Sequence, residues 1–410
     1  MRPLTSFALC LLLASTAVAV HPDALRVVSS HEPTPAVEVQ PARELWRVTD
    51  GDTDELMGVI ADIVMDADGN TLMLDRSFKT VRIYGPDGEY INSVGREGDG
   101  PGEFRNPEKC LALPDGRVGV AELFPARIVT LTRDDVPADP IELPGEGSMQ
   151  ILTDVVCRAD RVHACSSMLK MNEEGVTSIA ILQSVNTQGE RQAVFKQENT
   201  AADTQGGAVT VSAAGEDFAG HWAVDAAGRV YVAPLDHEYM VEVYNADGDL
   251  ERVLDVEYDS VKRSQKEIQD IEDQRGQFQT HGVQVDLPPV DPYLRDIQTL
   301  YPRNDGSLWI RSSRGMRDRP DGTVGAFDVF DASGKLVRRV ALSADFDPDY
   351  DEWMIVGDRL FILKESLSAP ETSGMSGGGG AMVVQLGRPS RPEPDENREA
   401  QPFAVICYEI

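Results

Sequence analysis

The chain predicts a six-bladed β-propeller, on three observations. One strand–turn–strand unit recurs six times, its internal turns are short and built of Asp, Asn and Gly, and the last unit lacks a strand that a run near the N-terminus can supply. The first turn of the unit stands at 66–69, 114–116, 158–160, 225–228, 304–306 and 357–358. An apolar strand follows each time, as in Thr71-Leu72-Met73-Leu74, Arg229-Val230-Tyr231-Val232 and Arg359-Leu360-Phe361-Ile362. A second turn recurs at 85–88, 186–189, 245–248 and 331–334, where Gly and Asn supply the positive φ that hairpin turns need. After Phe361 the sixth unit offers one further strand, 403–409. Pairing it with the run 44–49 would close the ring and leave that blade without an open edge.

The N-terminus reads as an export leader. Arg2 supplies the positive charge, Phe7 to Ala14 an apolar run, and Ala17-Val18-Ala19 a small-x-small cleavage site, so residues 1–19 are expected to be removed near Ala19. The apolar run falls short of the ~20 residues that a membrane span needs. A secreted or periplasmic protein is therefore expected, with residues 20–41 as a flexible leader and 42–410 as the propeller. With 69 acidic against 38 basic residues the net charge is −31, which repels nucleic-acid backbones and anionic lipid surfaces. The chain is expected to be monomeric.

Four cysteines follow the leader: Cys110, Cys157, Cys165 and Cys407. If Val162 stands opposite Cys157 across the tight turn 158–160, strand alternation sends Cys165 to the other face of the sheet. Free buried thiols are expected. The absence of a C-x-x-C leaves thiol redox chemistry and a cysteine zinc site unsupported.

Residues 62–107 contain DADGNTLMLD, VRIYGPDGEYINSVG and GREGDGPGEFRNP. This segment resembles the NHL-type repeat, and more closely the exported bacterial six-bladed propellers that carry a G-x-x-G-x-G-P-G-E-F signature, here Gly95 to Phe104. The resemblance implies fold and export rather than an activity. The same Gly-rich stretch is no phosphate cradle, because no Lys-Ser or Lys-Thr follows and it leads into a strand; it reads as an inter-blade turn.

Propeller topology divides the loops between two faces. The first-to-second and third-to-fourth turns share one face and are short. The other face carries the long inserts 166–177, 196–218, 257–292, 311–325 and 364–402, and long loops on a rigid scaffold are where binding resides. Within them a helix is expected over 259–276, capped by Asp259 or Ser260 and ended by Gly276, inside a helical insertion 258–281. Its apolar seam would be Val261, Ile268, Ile271 and Phe278. Residues 366–402, with four successive glycines and a Pro-Arg-Pro-Glu-Pro run, are expected to be flexible.

Two constellations on the long-loop face carry candidate chemistry. Arg311, Arg314, Arg317 and Arg319 form a basic island in an acidic chain, with Arg76 and Lys79 in the corresponding loop of blade 1. Guanidinium forks suit carboxylate and phosphate groups. At the channel mouth the innermost strands place Asp62, Cys110, Asp154, His221, Asp296 and Glu352, a set whose carboxylates and imidazole suit Ca2+ or a similar divalent ion. His221, His237 and His281 form an alternative zinc set. The acidic run 345–352 lacks the Gly of an EF-hand, and no Ser-His-Asp order or nucleophile elbow is assigned. The expected function is a ligand- or protein-binding module whose long-loop face takes a protein, peptide or glycan. The alternative is a divalent-metal-dependent propeller hydrolase or lyase at the channel mouth.

Overall fold

The computed structural model describes residues 25–30, 35–49, 56–145, 149–172, 175–202, 218–279, 289–368 and 401–410. They form a ring of six four-stranded antiparallel sheets. Blade 1 is built of Ile60–Met65, Thr71–Asp75, Thr80–Tyr84 and Tyr90–Val94, and blade 2 of Pro107–Ala112, Val118–Glu122, Arg127–Leu131 and Pro137–Ile141. Blade 3 comprises Met149–Arg158, Arg161–Asn172, Gly175–Val185 and Arg191–Ala202. Blades 4 and 5 begin with Trp222–Val224 and Ile297–Pro302 and end with Leu250–Glu257 and Leu336–Ser343. Blade 6 takes Glu352–Val356, Arg359–Lys364 and Ala404–Glu409 from the end of the chain.

Its fourth strand comes from the N-terminal part, as the sequence implied. Arg43–Thr49 pairs antiparallel with Ala404–Glu409, in the register Cys407 opposite Trp46 and Ile406 opposite Arg47. Trp46 meets the Phe361 ring edge-on at 5.9 Å, so closure buries an aromatic as well as satisfying a ladder. Among the described residues the apolar core is divided around the ring. Six apolar clusters occupy the six blade-to-blade interfaces, such as Leu72, Phe104 and Val120 between blades 1 and 2 and Tyr231, Ile310 and Phe330 between blades 4 and 5. Each blade is therefore stabilised from both sides, and only ring closure buries the interface of blades 6 and 1.

The expected flexible leader is corrected over part of its length. Strand β1 (Leu25–Ser30) runs parallel to the outermost strand of blade 4, with Arg26 opposite Val253, and β2 (Val37–Pro41) runs parallel to that of blade 5, with Val39 opposite Ala341. The chain then enters β3 (Arg43–Thr49) in blade 6. An outer blade edge presents unpaired N–H and C=O groups, and these valine-bearing runs satisfy them. The expected signal peptide 1–19 lies outside the described residues.

The long-loop face also differs from expectation. In blade 3 the inserts 166–177 and 196–218 begin as ladder rather than loop, and the pairing continues to Asn172 opposite Gly175 and Val176 opposite Ala202. Helix α1 covers Gln265–Gln279, later than expected. A reciprocal cap places its start: the Ser264 hydroxyl accepts from the Glu267 N–H at 3.2 Å, and the Glu267 carboxylate accepts from the Ser264 N–H at 2.6 Å. The insert 311–325 holds a short helix, α2 (Ser313–Arg317), capped by the Ser312 hydroxyl on the Gly315 N–H. Most of the expected flexible loop, residues 369–400, lies outside the described residues. Cys157 stands opposite Val162, and all four cysteines are free thiols.

Candidate functional site

The Gly-rich signature is a clasp between blades 1 and 2. Gly95 adopts φ +87°, and a Cβ there would lie 2.4 Å from the fully buried Phe104 ring. The chain therefore folds back on itself only with glycine at this position. Glu103 accepts the Gly100 N–H at 2.9 Å and pairs with Arg96 at 3.0 Å, tying the loop into a two-stranded ribbon. Buried carboxylates hold the neighbouring connections. Asp75 accepts the Gly58 N–H at 2.8 Å and pairs with Arg82, while Glu122 accepts the N–H groups of Arg105 and Asn106 at 2.8 and 2.7 Å.

At the channel mouth the structure brings together two of the predicted acids and one residue the sequence reading left out. Lys109 stands 3.7 Å from Asp62 and 3.3 Å from Asp154, joining blades 1, 2 and 3. The two carboxylates hold the ammonium well above its ordinary pKa, Asp62 contributing most. Burial raises the Asp62 carboxyl, against the opposing pull of Lys109 and of the Cys110 N–H at 3.0 Å. The Cys110 thiol is itself buried, and burial raises it.

The remaining predicted ligands lie apart. His221 faces the Gln298 carbonyl at 3.2 Å, and burial lowers its pKa to about 4. Asp296 accepts the Ser260 hydroxyl at 3.1 Å beside the helical insertion, and burial raises its carboxyl. Glu352 opens the innermost strand of blade 6 opposite Leu363, while the adjacent Asp351 pairs with Lys364 at 2.7 Å. His237 pairs with Asp291 at 2.6 Å, and His281 lies outside the described residues. Among the described residues no three His, Cys, Asp or Glu side chains gather into a set able to hold a metal. Ca2+ does not fit this donor set, since Lys109 stands between the two acids that do converge.

The basic island divides. Arg317 pairs with Glu267 of α1 at 2.5 Å, and Arg314 approaches Asp259 at 3.7 Å over the Tyr258 ring. Both are counter-charges to the helical insertion. Arg76 pairs with Glu108 of blade 2 at 3.3 Å, turned away from blade 5, and Lys79 sits in a turn at φ +56°. Arg311 is different. Its guanidinium lies over Trp353 at 5.0 Å, its Nε is buried without a hydrogen-bond partner, and no carboxylate lies within 4.0 Å among the described residues. Burial lowers its pKa, with Arg319 adding a like-charge push. Tyr301 and Phe327 pack against the same indole at 6.3 and 6.0 Å, making an aromatic shelf between blades 5 and 6.

No family model matches the chain, and no curated protein matches it. Solved structures do. A Bacteroides fragilis protein named for presumed export shares 9% identity, covering 93% of this chain and 98% of its own, with a TM-score of 0.47. A member of the DUF4221 family from Bacteroides vulgatus shares 10%, covering 92% and 97%, with a TM-score of 0.46. A streptogramin B lyase shares 9%, covering 85% and 78%, with a TM-score of 0.36. At these values the fold rests on the sheet order above. No helix among the described residues is long and apolar enough to cross a membrane.

Proposed function

We propose that the chain is an exported propeller of the NHL-like kind that acts as a binding module, taking an acidic peptide or acidic glycan on its long-loop face with Arg311 as the anchor. The leader sequence supports export, and the signature Gly95 to Phe104 supports the kinship. One observation carries the binding reading. In a chain of net charge −31, Arg311 keeps a half-buried guanidinium stacked on Trp353 without a carboxylate to neutralise it. A partly desolvated, pre-oriented guanidinium gives a strong charge-assisted contact to a ligand carboxylate. The hydrolase or lyase alternative has less support, because Lys109 stands where its metal would have to sit between Asp62 and Asp154.

The test is binding of the full chain to an array of acidic peptides and uronic-acid glycans, wild type against Arg311→Gln. The expected outcome is capture that weakens as salt rises and is lost in the variant while its melting temperature is kept. Equal capture by both proteins would overturn the proposal.

A further inference from the structure

The opposite face carries a cavity of about 920 Å3 where the first-to-second turns of all six blades converge on the axis. Its wall includes the ends of innermost strands, with Met65, Ala112 and Val356 forming an apolar collar. Its mouth is acidic, lined by Asp68 and Asp160 of two different turns, while Asp358 on the same rim pairs with Arg303 at 3.2 Å. Inside the cavity is one guanidinium without a counter-charge. Arg158, the last residue of its strand, donates through Nη1 to the Cys157 carbonyl at 3.1 Å, and no carboxylate lies within 4.0 Å of it among the described residues. The other two arginines of the lining are engaged, Arg133 with Asp66 at 2.8 Å and Arg359 with Glu409 at 3.8 Å. Burial lowers the Arg158 guanidinium, and Asp62, a carboxylate that opposes this from farther away, already pairs with Lys109 at 3.7 Å.

We propose that this cavity binds a short hydrophobic peptide, a zwitterion whose carboxylate and ammonium stand at opposite ends of an apolar body. The carboxylate would meet Arg158, the apolar body the collar, and the ammonium the acidic mouth. The charge order selects this class. A simple anion must pass an acidic rim on a strongly acidic protein, and a simple cation would approach Arg158 with no anion to offer it. A ligand carrying both charges at opposite ends of an apolar body satisfies the guanidinium and the rim together. The site is independent of Arg311, which lies on the other face.

The test is isothermal titration of the full chain with the dipeptides leucyl-leucine and phenylalanyl-phenylalanine. Isovalerate and isoamylamine serve as acid-only and amine-only controls, and free leucine and phenylalanine as zwitterions whose two charges share one carbon. At least one dipeptide is expected to bind about tenfold or more tighter than all four controls, and Arg158→Gln to weaken it by about tenfold or more. Should the variant fail to fold, Cys157 in the wild type reports instead. It lines the cavity and is the one thiol among the described cysteines that is not buried. The bound dipeptide is expected to slow its modification by methyl methanethiosulfonate, read by peptide mass spectrometry, and isoamylamine is not. Absence of binding by both dipeptides, equal binding of any control, or unchanged affinity in a folded Arg158→Gln protein would overturn the proposal.

Discussion

His163 should make this protein acid-sensitive in a window that one substitution removes. It lies on the second strand of blade 3, fully buried, with its ring 5.7 Å from Phe195 and neither nitrogen hydrogen-bonded. Burial lowers its pKa from 6.5 to about 4, opposed by the nearby Arg161 backbone and helped slightly by repulsion from the Arg161 and Arg158 charges. Between those values the unfolded chain binds a proton that the folded chain refuses, so stability falls as pH drops from 6.5 towards 4 and levels off below. A shift of that size corresponds to about 3 kcal/mol. His163→Leu keeps a similar volume, removes the titration and removes two buried unsatisfied nitrogens, whose desolvation costs ~1–3 kcal/mol. Urea unfolding followed by tryptophan fluorescence at intervals from pH 7.5 to 4 measures both effects. The variant is expected to be at least as stable as wild type at pH 7 and to gain on it by about 3 kcal/mol by pH 4, the contribution of His221 remaining in both. A variant that loses stability in parallel with wild type across that range would refute the reasoning.

Three further outcomes follow from the same contacts. Deleting residues 25–41 should lower the melting temperature modestly, because it uncovers two outer edges, whereas deletion through residue 49 should prevent cooperative folding by opening the interface of blades 6 and 1; equal melting temperatures would exclude this. Phe104→Ala should cost ~3–5 kcal/mol in urea unfolding, since the ring fills the clasp under Gly95 and is fully buried. Lys109→Met should destabilise the protein at pH 7 by leaving Asp62 and Asp154 facing each other, and should recover as pH falls and the carboxylates protonate; a pH-independent loss would point to packing instead.

The ring was legible because its signals are local. Turns such as Asp66 to Gly69 and Asn245 to Gly248 declare themselves within four residues, and the unmatched run beside Trp46 declared the closure. What was not legible depends on distant partners. The segment from Leu25 to Pro41 looked like a leader because its pairing edges lie more than two hundred residues downstream, at Val253 and Ala341. The blade 3 extension escaped because Ser166 and Ser167 break the apolar alternation at the point where the ladder continues. The helix start carries two competing signals: Ser264 and Glu267 spell a capping box, while Asp259 and Ser260 offer caps nearer the preceding strand. At the channel mouth the repeat alignment puts Cys110 in the innermost-strand position of blade 2, and Lys109, one residue earlier, is the cation that stands among the acids.

The placement of unneutralised cations separates scaffold from site more sharply than loop length does. On the long-loop face the acids and bases mostly consume one another: Asp62 and Asp154 with Lys109, Glu267 with Arg317, Asp351 with Lys364. Such pairs hold blades and inserts together, and a partly buried charge is tolerated there because its counter-charge is built in. A chain with so large an acid excess has carboxylates to spare for every arginine, so a desolvated guanidinium left without one is a cost that folding alone does not require. Arg311 and Arg158 each incur it, and they stand on opposite faces. A bound carboxylate would relieve either. The free protein should therefore gain thermal stability from its ligand at each position, and the two gains should be independent and additive.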